Sequence, residues 1–255
     1  MLLDYQNTSF EVKAAKPDLA ILPVGATEAC GDHLPVGCAN LVLDVLSRRV
    51  AERLHGSVYL LPTMPLGTSG LHAGKPGTIA LQWPTLMGVV YDLVESLVAQ
   101  GIYRVAVING LGGATETPVR PRENYIIKTA VRQLNYDLAD LDAIWVQPFT
   151  VAGKELEEII ESAGEELHAG ELATSLMLYL HHEAVKGTGE DYVPQVGKAY
   201  LDYVAFDRLC PGGVWGRPSL ASAEKGERAM DLAVRRTVAY IEDSFAQLAR
   251  LKRRL

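Results

Sequence analysis

The feature that most narrows the fold is a hydrophobic run that ends abruptly in a polar loop. Leu19 to Val24 (LAILPV) is apolar throughout, the pattern of a strand buried on both faces. It breaks at Gly25 into a loop dense in Glu28, Cys30, Asp32, His33 and Cys38, and a helix-like run follows from Leu41 to Leu54. A strand of this kind belongs to a parallel sheet covered by helices on both sides. Metal-capable side chains on the loop after such a strand mark the usual place for a site in an α/β protein.

The alternation continues down the chain. Val58 to Leu61 reads as a second strand, Arg104 to Ile108 as a third and Ala143 to Val146 as a fourth. Trp83 to Gln100 carries apolar residues at Leu86, Val89, Val90, Leu93, Leu97 and Val98, a helical spacing closed by Gly101. Tyr125 to Leu134 and Gly170 to Glu183 also read as helices, Leu156 to Glu166 as an acidic amphipathic segment, and Ser222 to Arg254 as a long final helix. Thr63 to Thr78 is a long loop with four glycines and two prolines, and Gly187 to Pro211 is irregular with some strand character. The expectation is one domain over residues 1–255: a three-layer α/β/α sandwich on a mainly parallel sheet.

Composition bounds the function classes. A chain of 255 residues that is 48% hydrophobic can bury a full core. Its net charge of −7 argues against a nucleic-acid surface. No apolar run reaches the roughly 20 residues that span a bilayer, and the opening MLLDYQNTSFEVK lacks a signal-peptide core. Three cysteines, an odd number, suit a reducing cytoplasm better than a disulfide framework. A soluble cytoplasmic protein with no nucleic-acid or membrane partner is therefore expected.

Common motifs are set aside in turn. Asn109 to Ala114 (NGLGGA) follows a strand and precedes a helix, but lacks the glycine register of a dinucleotide fold and the ending of a phosphate loop. No G-x-S-x-G elbow occurs. Cys30, His33 and Cys38 form a C-x2-H-x4-C run with no second knuckle, which reads more simply as two part-buried thiols and a hydrogen-bonded histidine.

Five blocks, in order, resemble the creatininase (creatinine amidohydrolase) family. They are Pro23 to Ala39 (PVGATEACGDHLPVGCA), Gly67 to Leu81 (GTSGLHAGKPGTIAL), Asn109 to Ala114, His168 to Ser175 (HAGELATS) and Gly212 to Gly226 (GGVWGRPSLASAEKG). The resemblance implies a creatininase-like fold, metal-dependent hydrolysis of cyclic amides and related C–N bonds, and assembly into a homo-oligomer, a hexamer. It also implies two divalent metals held by a Glu and a His of the first loop, a bridging Asp, a His of the Gly-rich turn and a further Glu. Only Glu28 meets that pattern. Cys30 stands in the His slot, Ala39 in the Asp slot, Leu111 in the turn's His slot, and Gly113 or Ala173 in the last Glu slot. His168 matches a histidine of the family's active site.

Two divalent ions about 3.5 Å apart need bridging and terminal anionic ligands to offset their repulsion. Leucine and alanine supply no lone pair. The expectation is a homologue without the usual dinuclear centre, non-hydrolysing and serving as a ligand-binding or assembly protein, with no cofactor or at most a single Zn or Mn ion. The alternative is an amidohydrolase with a rebuilt site: Cys30 as a nucleophile beside His168, or one metal on Glu28, Cys30 and His168. An ordinary dimetal site using Asp32, His33 and Asn40 is disfavoured, because Asn40 replaces a bridging carboxylate poorly. His33, His72, Asn109, Gly112 and Gly113 are the candidate contacts to a small-molecule ligand. Glu116 to Glu123 (ETPVRPRE) resembles an addition after the Gly-rich turn, suited equally to an interface, a lid or a solvated loop.

Overall fold

A computed structural model describes residues 1–110 and 122–252. At its centre lies the apolar run from Leu19 to Val24. The strands are β1 (Leu2–Leu3), β2 (Leu19–Val24), β3 (Val58–Leu60), β4 (Arg104–Asn109) and β5 (Asp142–Val146). They form one sheet in the order β1-β3-β2-β4-β5, and every pairing is parallel. β2 is buried along its whole length, as its uninterrupted apolar sequence requires.

Alternation along the strands separates two cores. Leu19 and Ile21 of β2, Ala106 and Ile108 of β4, and Ile144 and Val146 of β5 face one side. Ala20, Leu22, Val105, Val107 and Ala143 face the other. In chain order the helices are α1 (Ser9–Ala15), α2 (Cys38–Arg53), α3 (Trp83–Val98), α4 (Arg122–Asp137), α5 (Pro148–Ala152), α6 (Lys154–Glu157), α7 (Glu171–Leu180), α8 (Phe206–Leu209) and α9 (Ala223–Lys252). Residues of α2, α5, α7 and α9 fill the first core, and those of α3 and α4 the second. The result is the expected three-layer α/β/α arrangement. Among the described residues no helix is long and apolar enough to cross a membrane.

Sequence and structure part in several places, β1 and α5 among them. α1 was not anticipated; it is short but opened by a capping box, with Thr8 and Glu11 each satisfying the other's backbone N–H. The amphipathic segment Leu156 to Glu166 is not one helix. The chain leaves α6 and turns, because the Glu171 carboxylate accepts from Glu161 N at 3.2 Å and from Ser162 N at 2.8 Å. Side-chain acceptors there replace the helical carbonyls. Within Gly187 to Pro211 the strand character is confined to one bridge, Tyr192 with Gly216, and the chain otherwise forms a 3-10 turn at Lys198–Asp202 and α8.

The topology places the site. From β2 the chain passes through α2 to β3 on one side, then crosses through α3 to β4 on the other. The loops after β2 and β4 therefore diverge at a topological switch point, where open α/β sheets bind ligands. Val24 and Asn109, the last residues of these two strands, are register partners.

Candidate functional site

The loop after β2 is held by its backbone. Gly25 N donates to Met64 O at 2.9 Å, Glu28 N to Val36 O at 2.9 Å, and Cys38 N to Pro35 O at 2.9 Å. Ala29 N donates to the Thr78 hydroxyl at 2.9 Å, so the long Thr63 to Thr78 loop braces the site loop. This fixes Glu28 half-buried and Cys30 fully inside.

The opposite wall comes from the segment before α7. His168 and Trp215 form an antiparallel bridge, with His168 N donating to Trp215 O at 3.1 Å and Trp215 N to His168 O at 2.9 Å. Two glycines permit this approach: a Cβ on Gly216 would lie 2.8 Å from Gly170 Cα. Ala169, immediately after His168, is held at φ 52°. That region is unfavourable for a residue with a Cβ, and such strain concentrates at functional positions.

Glu28, His72 and His168 converge, each offering one donor atom with all three atoms within 4.8 Å of one another. Cys30 is not part of this group. His168 Nδ1 lies 3.9 Å from Glu28 Oε1. His168 Nε2 lies 2.9 Å from the Ala29 carbonyl; a carbonyl only accepts, so Nε2 is the protonated nitrogen. The rings of His72 and His168 stack with centroids 4.3 Å apart at 29°. Phe206 packs on both, 4.7 Å from His72 and 5.3 Å from His168, and Trp215 backs Phe206 at 6.5 Å.

The electrostatics follow from these contacts. Burial alone would lower His168, but the Cys30 thiol, the Glu28 carboxylate and the Ala29 carbonyl outweigh it and carry the ring up to about 9. Burial, with His168 and Lys75 nearby, drops His72 to about 3. Of the stacked pair, His168, which faces Glu28, is the ring that takes up a proton more readily. Contact with Cys38, then burial, pushes the Cys30 thiol well above its ordinary value of 9.0. It is a protonated buried thiol rather than an activated nucleophile.

The other residues named from the sequence fall nearby or elsewhere. His33 is buried, with Nε2 2.9 Å from the Thr174 hydroxyl, and its ring lies against the backbone of Gly31 and Gly189; it stands outside the three-residue group. Asn109 accepts from Trp145 Nε1 at 2.5 Å at the end of β4, which brings Trp145 to the edge of the switch point. Ala39 sits half-buried in the first turn of α2, and Ala173 is buried in α7. Leu111, Gly112, Gly113 and the Glu116 to Glu123 stretch as far as residue 121 lie outside the described residues. Sequence reasoning missed Phe206, Trp215 and Thr174. Phe206 lies in a stretch with no periodicity, and Trp215 stands in the last family-like block with no role that its sequence position singles out.

Fold and site together define a three-layer α/β protein with a carboxylate–imidazole cluster at its switch point. Comparison with known proteins places that description. The profile described as "Creatinine amidohydrolase" matches residues 5–241, and the chain belongs to the creatininase family. It is 28% identical over 235 residues to the mycofactocin precursor peptide peptidase of Mycobacterium ulcerans (strain Agy99), covering 87% of this chain and 83% of that protein. It is 28% identical over 250 residues to the creatinine amidohydrolase of Pseudomonas putida, covering 92% and 94%. Among solved structures it is similar to one described as "Creatininase Mn", with TM-score 0.78 and 25% identity over 96% of this chain and 99% of that one.

That relative is a manganese form, so the fit of a metal pair to this chain can be judged from its donors. By the slots the resemblance assigns, Cys30 offers a buried thiol in the His slot, while Ala39 and Ala173 offer no side-chain donor atom. These described positions supply fewer anionic ligands than two neighbouring divalent ions call for.

Proposed function

We propose that this chain is a creatininase-family homologue that has given up dinuclear metal hydrolysis and retains the scaffold as a binding protein for a small molecule at the switch point. The observation that carries the reading is where the replaced positions now belong. Cys30 and Ala173 are members of the larger hydrophobic core, packed with Leu34, Cys38, Ala169, Leu172 and Val214. A charged basin in the family's terms is here a largely apolar wall, which lowers the cost of leaving it unmetallated. His72, His168, Phe206 and Glu28 form the polar and aromatic lining, a mixture typical of small-molecule sites.

The test is metal analysis and turnover on one preparation. The protein, supplied in turn with Zn2+ and Mn2+, should hydrolyse neither creatinine nor a short peptide and should not take up two equivalents of metal. Two equivalents together with metal-dependent amide hydrolysis would overturn the proposal.

A second reading keeps catalysis: a C–N bond hydrolase working with one ion. The names of the relatives favour it, since both describe hydrolytic enzymes, and so does the convergence of Glu28 and His168. The thiol-nucleophile form of that reading is the weaker one, because Cys30 is buried and protonated.

A further inference from the structure

We propose that Glu28, His72 and His168 form a site for one divalent transition-metal ion, with Cys30 excluded from it. The inference rests on the reading that the metal pair does not assemble, and it specifies what the remaining donors do. Of these three residues only Glu28 stands in a slot the family uses for metal; the histidines come from the braced loop and from the bridge to Trp215.

Three observations carry it. First, the donor atoms lie within 4.8 Å of one another. Zinc bound by nitrogen and oxygen at about 2.0–2.1 Å sets neighbouring donors roughly 3.3 Å apart. The group must contract by about 1.5 Å at its widest, within reach of side-chain rotation. Glu28 is free to make that movement: among the described residues its carboxylate has no partner nearer than His168 at 3.9 Å.

Second, His168 is already oriented as a ligand. Its Nε2–H is tied to the Ala29 carbonyl at 2.9 Å, which leaves the lone pair of the neutral ring on Nδ1, the atom facing Glu28. Metal-binding histidines are commonly held in this way by a carbonyl on the far nitrogen.

Third, the His72 ring forms no hydrogen bond among the described residues, although it is buried and stacked on a second imidazole. With the donor atoms of both rings in one small group, a single shared cation would take a lone pair from each. Two histidines and one glutamate make a ligand set that leaves a fourth position for water or an oxygen donor. A small carboxylate or carbonyl compound is the ligand class such an ion would take. The nitrogen-rich set selects Zn2+ or Co2+ over Mn2+.

The experiment uses the full chain, stripped with chelator and then titrated with Zn2+ by calorimetry, and with Co2+ by absorption spectroscopy. One equivalent of Zn2+ is expected, at least about ten-fold weaker in Glu28→Gln and His72→Gln and within about two-fold of the parent in Cys30→Ser. The Co2+ complex should show d–d bands without a thiolate-to-cobalt charge-transfer band. Melting curves in chelator establish that each variant is folded, and the Co2+ spectrum of the parent protein reports the donor set without recourse to any variant. No binding, binding that His72→Gln leaves intact, or a charge-transfer band abolished by Cys30→Ser would overturn the site while leaving the proposed function standing. Two equivalents with metal-dependent turnover would instead overturn the proposed function.

Discussion

The sharpest structural test is a pair of single-methyl insertions with opposite expected signs. At Gly226, in the first turn of α9, an added Cβ would lie 2.0 Å from Ser175 O, 2.5 Å from Ser175 C and 2.9 Å from Tyr179 Cβ. Two of these three atoms are backbone of α7, so no flexible side chain can move aside. Carbon contacts settle near about 3.5 Å, so α7 and α9 must part by on the order of 1 Å. Separation loosens Leu172, Leu176 and Met177 against Ala229, Met230 and Ala233, all members of one core. Overpacking of this kind costs about 1–3 kcal/mol, and loss of close contact adds to it. Alanine returns at most about 1 kcal/mol of helix propensity. Gly226→Ala should therefore destabilise by about 2 kcal/mol, read as a lower urea midpoint at unchanged slope. Gly88, exposed on α3, has nothing within 4 Å of its ideal Cβ, and Gly88→Ala should stabilise by about 0.5–1 kcal/mol. If Gly226→Ala proves as stable as the parent, the contact between α7 and α9 is misplaced, and with it the segment that carries His168.

Further outcomes can be checked on the same material. Burial pushes the Cys210 thiol up to about 12, and all three cysteines are buried, so a thiol reagent at pH 8 should titrate none of them until denaturant is added. Lys225→Met strips the fully buried Glu171 of a cation at 2.5 Å and should cost about 3–5 kcal/mol in urea unfolding, whereas pairing it with Glu171→Gln should cost less than the two single changes summed. The Arg48 guanidinium, then the Gln6 N–H, hold the Asp4 carboxyl below its ordinary 3.8. A depressed carboxyl stabilises above its unfolded value and loses that contribution as pH falls through the folded one. Arg48 is 41% exposed, which keeps the contribution below about 1 kcal/mol. Asp4→Asn should accordingly narrow the stability gap between pH 5 and pH 2 by no more than that amount, measured by thermal melts.

The sheet was legible because its central strands are short runs with no polar residue between Leu19 and Val24 or between Val105 and Ile108. Leu19 to Val24 and Arg104 to Ile108 could only be buried strands, and the helices over them announced themselves by spacing and by Gly101. The segment around Leu156 to Glu166 was not legible, because its shape depends on a carboxylate from Glu171, beyond the reach of local periodicity. The site was half legible. Glu28 and His168 were singled out by their positions in family-like blocks, and His72 by its loop. That His72 rather than Cys30 meets them depends on how the Thr63 to Thr78 loop folds back, through contacts such as Ala29 N to Thr78 at 2.9 Å. A hydrogen bond between residues 49 positions apart leaves no trace in a window of sequence.

The same contacts show how this frame is held by bonds that do not pass through the candidate ligand side chains. In small metal-dependent domains the ion supplies folding energy, and removing its ligands unfolds the chain. Here the loop from Gly25 to Cys38 is held by bonds that involve no ligand side chain. Gly25 N reaches Met64 O, Glu28 N reaches Val36 O, and the Thr27 hydroxyl donates to Pro65 O at 2.8 Å. The two ends of that loop are anchored by a fully buried strand and by a helix whose inner face lies in the core. Cys30 and Cys38 then add apolar area to that core where a charged ligand would have had to be desolvated. On the proposed reading, a single ion at Glu28, His72 and His168 would be recruited by a loop whose backbone is already held without it.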